Sequence, residues 1–244
     1  MNIDHVEIQQ LMRQMVDLGI ADNLKLWVHS GLVKTRASGS DLYVPKAYDI
    51  SGEENDGVQT TEDNQPTLDT LGIKHNRNVD CLDCGNDNSV KMVDSISVGV
   101  WVYATTLLSH RDIIGRWGFA TNRRVWLIRS NGSQLQVWVS ATGTEGSKLY
   151  ISTIASSVWE HWLFTFTTNT LLVYKNGSVI NPIKYLDSTC NSLYNTDFNL
   201  ILGNAQNEIS IRGVINDARV FNSVLTSTQI SAIYNATKTK YGHS

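Results

Sequence analysis

Apolar residues recur along this chain in two rhythms. Between residues 96 and 204 they alternate with polar ones in short runs: ISVGVWVYA, DIIGRWG, RVWLIRS, SQLQVWVSA, LYISTIA, HWLFTFTT, TLLVYKN, SVINPIK and FNLILGN. A period of two marks half-buried strands. Asn131-Gly132, Gly143, Gly146 and Asn176-Gly177 stand between the runs. Asn-Gly between two apolar runs signals a hairpin, because both central residues need φ > 0. The pattern predicts an antiparallel sandwich. An earlier strand, NLKLWVHS at 23–30, sets Leu24, Leu26 and Val28 on one face and Trp27 on the other. Residues 31–95 are rich in Gly, Asn and Asp, with apolar pieces such as DLYV and GVQT. They read as loops and short strands.

The rhythm changes at both ends. MNIDHVEIQQLMRQMVDLGI has helical spacing: Asp4 and Glu7 form a capping box, Ile8, Leu11, Met12 and Met15 the stripe, and Gly19 the stop. At residues 214–235 a strand, Val214 to Phe221, runs straight into a second helix. Thr226 and Gln229 make its capping box, Leu225 staples against Ile230, and Ile230, Ile233 and Tyr234 share a face. The expected organisation is a helical arm over residues 1–22 and a β domain over 23–244. Nothing alternates β and α units, which argues against a doubly wound fold. The arm's stripe either packs on its own domain or docks on a partner. Because the rest already makes a complete sandwich, we assign Leu11, Met12 and Met15 to assembly; Met suits adaptable docking surfaces.

Composition narrows the function. The 244 residues carry a net charge of -3 and are 41% hydrophobic, with seven Trp, nine Tyr and five Phe, enough for a large core. No basic stripe suits nucleic acid, and no apolar run is long enough to span a membrane. The N-terminus lacks the apolar stretch of a secretory signal. Three cysteines leave one unpaired whatever the pairing. Cys81 and Cys84 in CLDC, with His75 and Cys190, have ligand chemistry, but free thiols are the simpler reading, and no metal or other cofactor is expected.

Several stretches together resemble the laminin G-like branch of the concanavalin A-like lectin/glucanase jelly rolls. YDISGEENDGV (48–58) is similar to that family's Asp-x-Ser-Gly turn. ISVGVWVYATT (96–106) resembles its strand with a Trp before a Val. VWEHWLFTFTTNTLLVYKNGSVI (158–180) follows its Trp-x-His and Leu-x-Val-Tyr-x-Asn-Gly pair, and LILGN (200–204) its short Ile-Gly strand. Gly213, Ile215, Asp217, Arg219, Phe221, Asn222, Leu225 and Ile230 fall in step with its ending; Asn216 stands where an Asp is usual. The resemblance, which runs from about residue 24 to 235, implies an all-β, antiparallel jelly-roll sandwich closed by a short C-terminal helix; the N-terminal amphipathic helix stands outside it. Trp101, Trp159 and Trp162 take core positions of that family.

The fold hosts both glycan hydrolases and binding modules, so it does not decide function. Retaining glycosidases need two carboxyl groups about 5 Å apart, which glucanases set on one strand. Here Asp112, Glu145, Glu160, Asp187, Asp197, Glu208 and Asp217 are scattered singly, so no enzyme is expected. The family's calcium site would draw on Asp197 and Asn195, but the IIGRWG loop brings no second acid. For glycan binding, alternation in QLQVWVSA puts Leu135, Val137 and Val139 inward and Trp138 outward beside Gln136 and Ser140; the alternative is that both sheet faces are covered here and Trp138 is core. Trp117, Arg123 and Arg124 join them if neighbouring runs pair. A recognition fold with free thiols and no signal peptide fits a bacteriophage virion protein of tail, fibre or capsid decoration. Such a protein is made in host cytoplasm and contacts other virion proteins, copies of itself or host glycans. The rival readings are a glycan hydrolase, a purely structural virion component and a secreted bacterial carbohydrate-binding module.

Overall fold

The computed structural model describes residues 5–119, 122–204 and 209–244; Asp4, the expected cap of the first helix, and Glu208 lie outside them. Helix α1 (His5–Asp17) leads into β1 (Leu24–Ser38) and β2 (Asp41–Asp49). Four short strands follow: β3 (Gly57–Val58), β4 (Thr67–Leu68), β5 (Ile73–His75) and β6 (Cys81–Asp83). The long-strand region holds β7 (Ser95–Thr106), β8 (Arg111–Gly118), β9 (Arg123–Asn131), β10 (Gln134–Val139), β11 (Lys148–Thr153), β12 (Trp159–Thr167) and β13 (Thr170–Lys175). Then come β14 (Ser178–Val179), β15 (Ile183–Asp187), β16 (Ile201–Gly203), β17 (Ile209–Ser210), β18 (Arg212–Phe221) and helix α2 (Ser227–Thr237).

Two antiparallel sheets face each other. The front sheet runs β2-β1-β18-β7-β12-β13-β14, and the back sheet β3-β6-β16-β8-β9-β10-β11-β15. The expected alternation fills the space between them. Val98, Val100 and Val102 of β7 and Trp162, Phe164 and Phe166 of β12 meet Trp126 and Ile128 of β9 and Leu135, Val137 and Val139 of β10. The Asn176-Gly177 turn has both residues at positive φ, 50° and 76°, the geometry of a type I′ hairpin. Gly177 is required twice over, because a Cβ there would lie 2.8 Å from the Tyr234 ring of α2. At the other Asn-Gly, Asn131 is still paired with Gln134 and the tip is Gly132-Ser133.

A second core covers the outer face of the front sheet. Ile8, Leu11 and Met15 of α1 pack with Ile230 and Ile233 of α2, Trp27 of β1, Leu163 of β12 and Phe221 of β18. The Thr226–Gln229 capping box starts α2 as its sequence announces. Three expectations change. Residues 31–49 are not loops and short strands but part of the long β1–β2 hairpin, joined through the Asp49 carboxylate, which accepts the N–H groups of Trp27, Ser51 and Asn55. A register shift after Leu24 moves it to the second core. The assembly assignment is also corrected. Leu11 and Met15 are buried against their own domain and Met12 packs beside them, because a sheet face lined by Trp27, Leu163 and Phe221 needs covering. Met15→Ala should therefore cost about 2–5 kcal/mol in urea unfolding; an unchanged midpoint would return the stripe to assembly.

Candidate functional site

The outer face of the front sheet is built around an irregularity in β18. Asn216 pairs with Trp101 and Arg219 with Gly99, so Asp217 and Ala218 together oppose one residue of β7. This is a bulge. Asp217 sits at φ 48°, a region that Asp tolerates better than most L residues. Its carboxylate accepts both Nε (2.7 Å) and Nη2 (2.8 Å) of Arg219 and the indole N–H of Trp27 (2.7 Å). The Arg219 guanidinium lies 4.5 Å over the Trp27 ring. Burial alone would raise the Asp217 pKa, but the charge and hydrogen bonds of Arg219 hold it below the ordinary value.

The C-terminal segment returns over this pair. Lys240 Nζ lies 2.9 Å from His29 Nε2 and 3.2 Å from Glu7 Oε1, tying the segment to β1 and α1. Burial, only partly offset by Asp217, drives the pKa of both His29 and His161 down to about 3. Among the described residues, His161 Nδ1 and the Tyr241 hydroxyl are buried with no hydrogen-bond partner. A row of rings leads outward from here: Trp101 stacks on Tyr241 at 4.2 Å, Tyr241 meets Trp159 at 4.8 Å, and Trp159 meets Tyr103 at 5.6 Å.

Trp159 is half-buried and forms a wall of two clefts. One lies between the turn 69–72 and the C-terminal segment, with Ser30, Asp69, Asn216, Lys240 and Tyr241 in its lining. Asn216 Oδ1 accepts the N–H groups of Ser30 and Asp217, while its amide nitrogen faces Gly72. The other cleft takes in Tyr103, Ser157, Asn176 and His243. The family-based placement of three tryptophans is thus corrected in part. Trp162 is in the main core, Trp101 is buried beneath the C-terminal segment instead, and Trp159 is not core at all.

The residues nominated from the sequence lie on the outer face of the back sheet. Trp138 does point away from Leu135, Val137 and Val139, and it packs on Trp117 and Leu127. Its indole N–H donates to Gln136 at 3.2 Å. Gln136 and Trp117 are themselves buried, at 6% and 4% exposure. The backbone of Gly146 passes so close that a Cβ there would lie 2.5 Å from the Trp138 ring. Arg124 leans over Trp117 at 6.0 Å and over the 53% exposed Phe119 at 4.4 Å; Arg123 is exposed beside them. Among the described residues no cluster of three His, Cys, Asp or Glu is set to hold a metal. Cys84 and Cys190 are in the main core, and Cys81 accepts from Gln59. Asp197 pairs with Lys91.

A family model described as the concanavalin A-like lectin/glucanases superfamily matches residues 80–231, more than half of the chain. The chain belongs to that superfamily. No curated protein matches it in sequence. Among solved structures, the botulinum neurotoxin serotype D binding domain is similar over 90% of this chain, with a TM-score of 0.63 and 17% identity. The binding domain of Paraclostridial Mosquitocidal Protein 1 is similar over 88%, with a TM-score of 0.63 and 13% identity. A serotype D domain in complex with N-acetylneuraminic acid matches with a TM-score of 0.57 and 16% identity over 89%. In each case the chain covers 52% of the other, about half its length. These likenesses establish the lectin-like jelly roll. Among the described residues no helix is long and apolar enough to cross a membrane.

The buried histidines predict an acid response. A histidine whose folded pKa is depressed refuses protons that the unfolded chain accepts below about pH 6.5. Stability should therefore fall as pH drops from about 6.5 toward about 3, by roughly 1.4 kcal/mol per pH unit for each such histidine. Urea unfolding of His161→Gln should show a shallower slope than the parent; equal slopes would mean that His161 is protonated in the fold.

Proposed function

We propose that this is a non-catalytic recognition module, carried on a bacteriophage virion, that binds a host-surface glycan beside Trp159. The observation that carries the reading is the half-buried Trp159 ring, a wall common to two clefts whose linings bring polar groups next to it. An aromatic face suits the C–H side of a pyranose, and a few polar groups fix its orientation. Asn216, Lys240 and Asp69 are those groups in one cleft, and Ser157 and Asn176 in the other. A second reading puts the glycan on the back sheet at Trp138, with Trp117, Gln136, Arg123 and Arg124. It is favoured by the exposed Phe119 with Arg124 stacked on it.

Two buried acids support the absence of hydrolysis. Glu160 is taken up by Lys175 and the Trp162 indole, and Asp217 by Arg219 and Trp27. Neither carboxylate is free to act as nucleophile or acid. The virion reading joins a recognition fold to three unpaired cysteines, a combination suited to folding in a reducing cytoplasm and delivery by assembly. Other virion proteins and further copies of this chain are then its partners.

A glycan array, followed by titration of the sugars retained, tests this. Trp159→Ala should weaken binding at least about tenfold, in line with the loss of one aromatic platform, while Trp138→Ala leaves it unchanged. Loss in Trp138→Ala alone would move the site to the back sheet. Binding to no array sugar would favour a purely structural role, and release of shortened glycan would make the protein a hydrolase.

A further inference from the structure

Arg111 opens β8 and Arg212 opens β18, and both guanidiniums reach one acceptor. Asn78 Oδ1, in the loop between β5 and β6, accepts Arg111 Nη1 at 2.7 Å and Arg212 Nη2 at 3.1 Å. No carboxylate among the described residues pairs with either arginine. Among the described residues one neutral oxygen therefore serves two cations. Arg111 Nε is buried with no acceptor, and burial followed by the charge of Arg212 lowers the Arg111 pKa. The cluster is also held in place. The Asn78 carbonyl accepts the Ser210 N–H at 2.9 Å, and the Arg212 carbonyl accepts the Thr105 hydroxyl at 2.9 Å.

Two guanidiniums facing one another are stable together when an oxyanion lies between them, and their forked donors match a carboxylate or sulfate. We propose that Arg111, Arg212 and Asn78 form an oxyanion site that takes the carboxylate or sulfate group of an acidic glycan. The choice of a glycan as the source rests on the recognition role proposed above; the oxyanion site does not. Position supports the link. Arg212 pairs with Thr106, at the end of the strand that carries Tyr103 beside Trp159.

The test compares oligogalacturonate with its methyl ester, the same sugar without charge, and sodium sulfate with sodium chloride at equal ionic strength. The acidic oligomer should bind about tenfold more tightly than the ester, as charge-assisted hydrogen bonds imply, and sulfate should raise the melting temperature. Arg212→Gln should abolish both effects without lowering the melting point of the unliganded protein, since it removes one of two facing like charges. If Arg212→Gln leaves both effects intact, or the parent shows neither, the proposal fails. A sulfate response without any preference for the acidic oligomer would overturn the glycan assignment. In Trp159→Ala the sulfate response should persist even if every sugar is lost, which separates this site from the cleft.

Discussion

The buried Asp217–Arg219 pair is the interaction on which the outer half of this structure depends. Its bidentate geometry and the Trp27 indole saturate a carboxylate that burial would otherwise neutralise. Removing one partner of such a pair leaves an uncompensated charge and costs about 3–5 kcal/mol. A substitution at Asp217 thus reports on folding, not on chemistry. The bulge that turns Asp217 outward also interrupts β18, and the same strand then delivers α2 to the sheet. His29, His161 and Tyr241 gather over the pair, where the positive and negative charges partly cancel in their fields. The floor of the candidate cleft is the rim of this polar layer, at Asn216.

Placing the polar layer on a sheet's outer face explains why the molecule has two cores. The space between the sheets is apolar and closed. The outer face of the front sheet is part apolar, under α1 and α2, and part polar-aromatic, under the C-terminal segment. Clefts arise where the second covering stops, and Trp159 stands at that boundary. The Asn176-Gly177 turn on the same side is held against α2 by the close approach of Gly177 to Tyr234.

Much of the fold was legible because it is local. Leu135, Val137 and Val139 announce their common face by alternation alone, and Thr226 with Gln229 announce the start of α2. The site was less legible because its walls are distant in sequence. Trp159 is flanked by Tyr241 and by the turn 69–72, and no periodicity links these segments. The family resemblance placed it in the core, where Trp162 is. Periodicity also shows that α1 has an apolar stripe without showing what covers it; Leu11 and Met15 face their own sheet. At Trp138 the alternation gave the correct face, but the closeness of Gly146 to the ring is a tertiary fact. The arginine pair was out of reach for the same reason, since Asn78, Arg111 and Arg212 come from three separate segments.

The central claim is that recognition takes place at Trp159, and the indole N–H resonances of the seven tryptophans report on it directly. In the isotope-labelled protein, assigned by single Trp→Phe variants, titration with an array-selected glycan should shift the Trp159 signal most and leave that of Trp138 in place. A shift centred on Trp138, with Trp159 unmoved, would contradict the account.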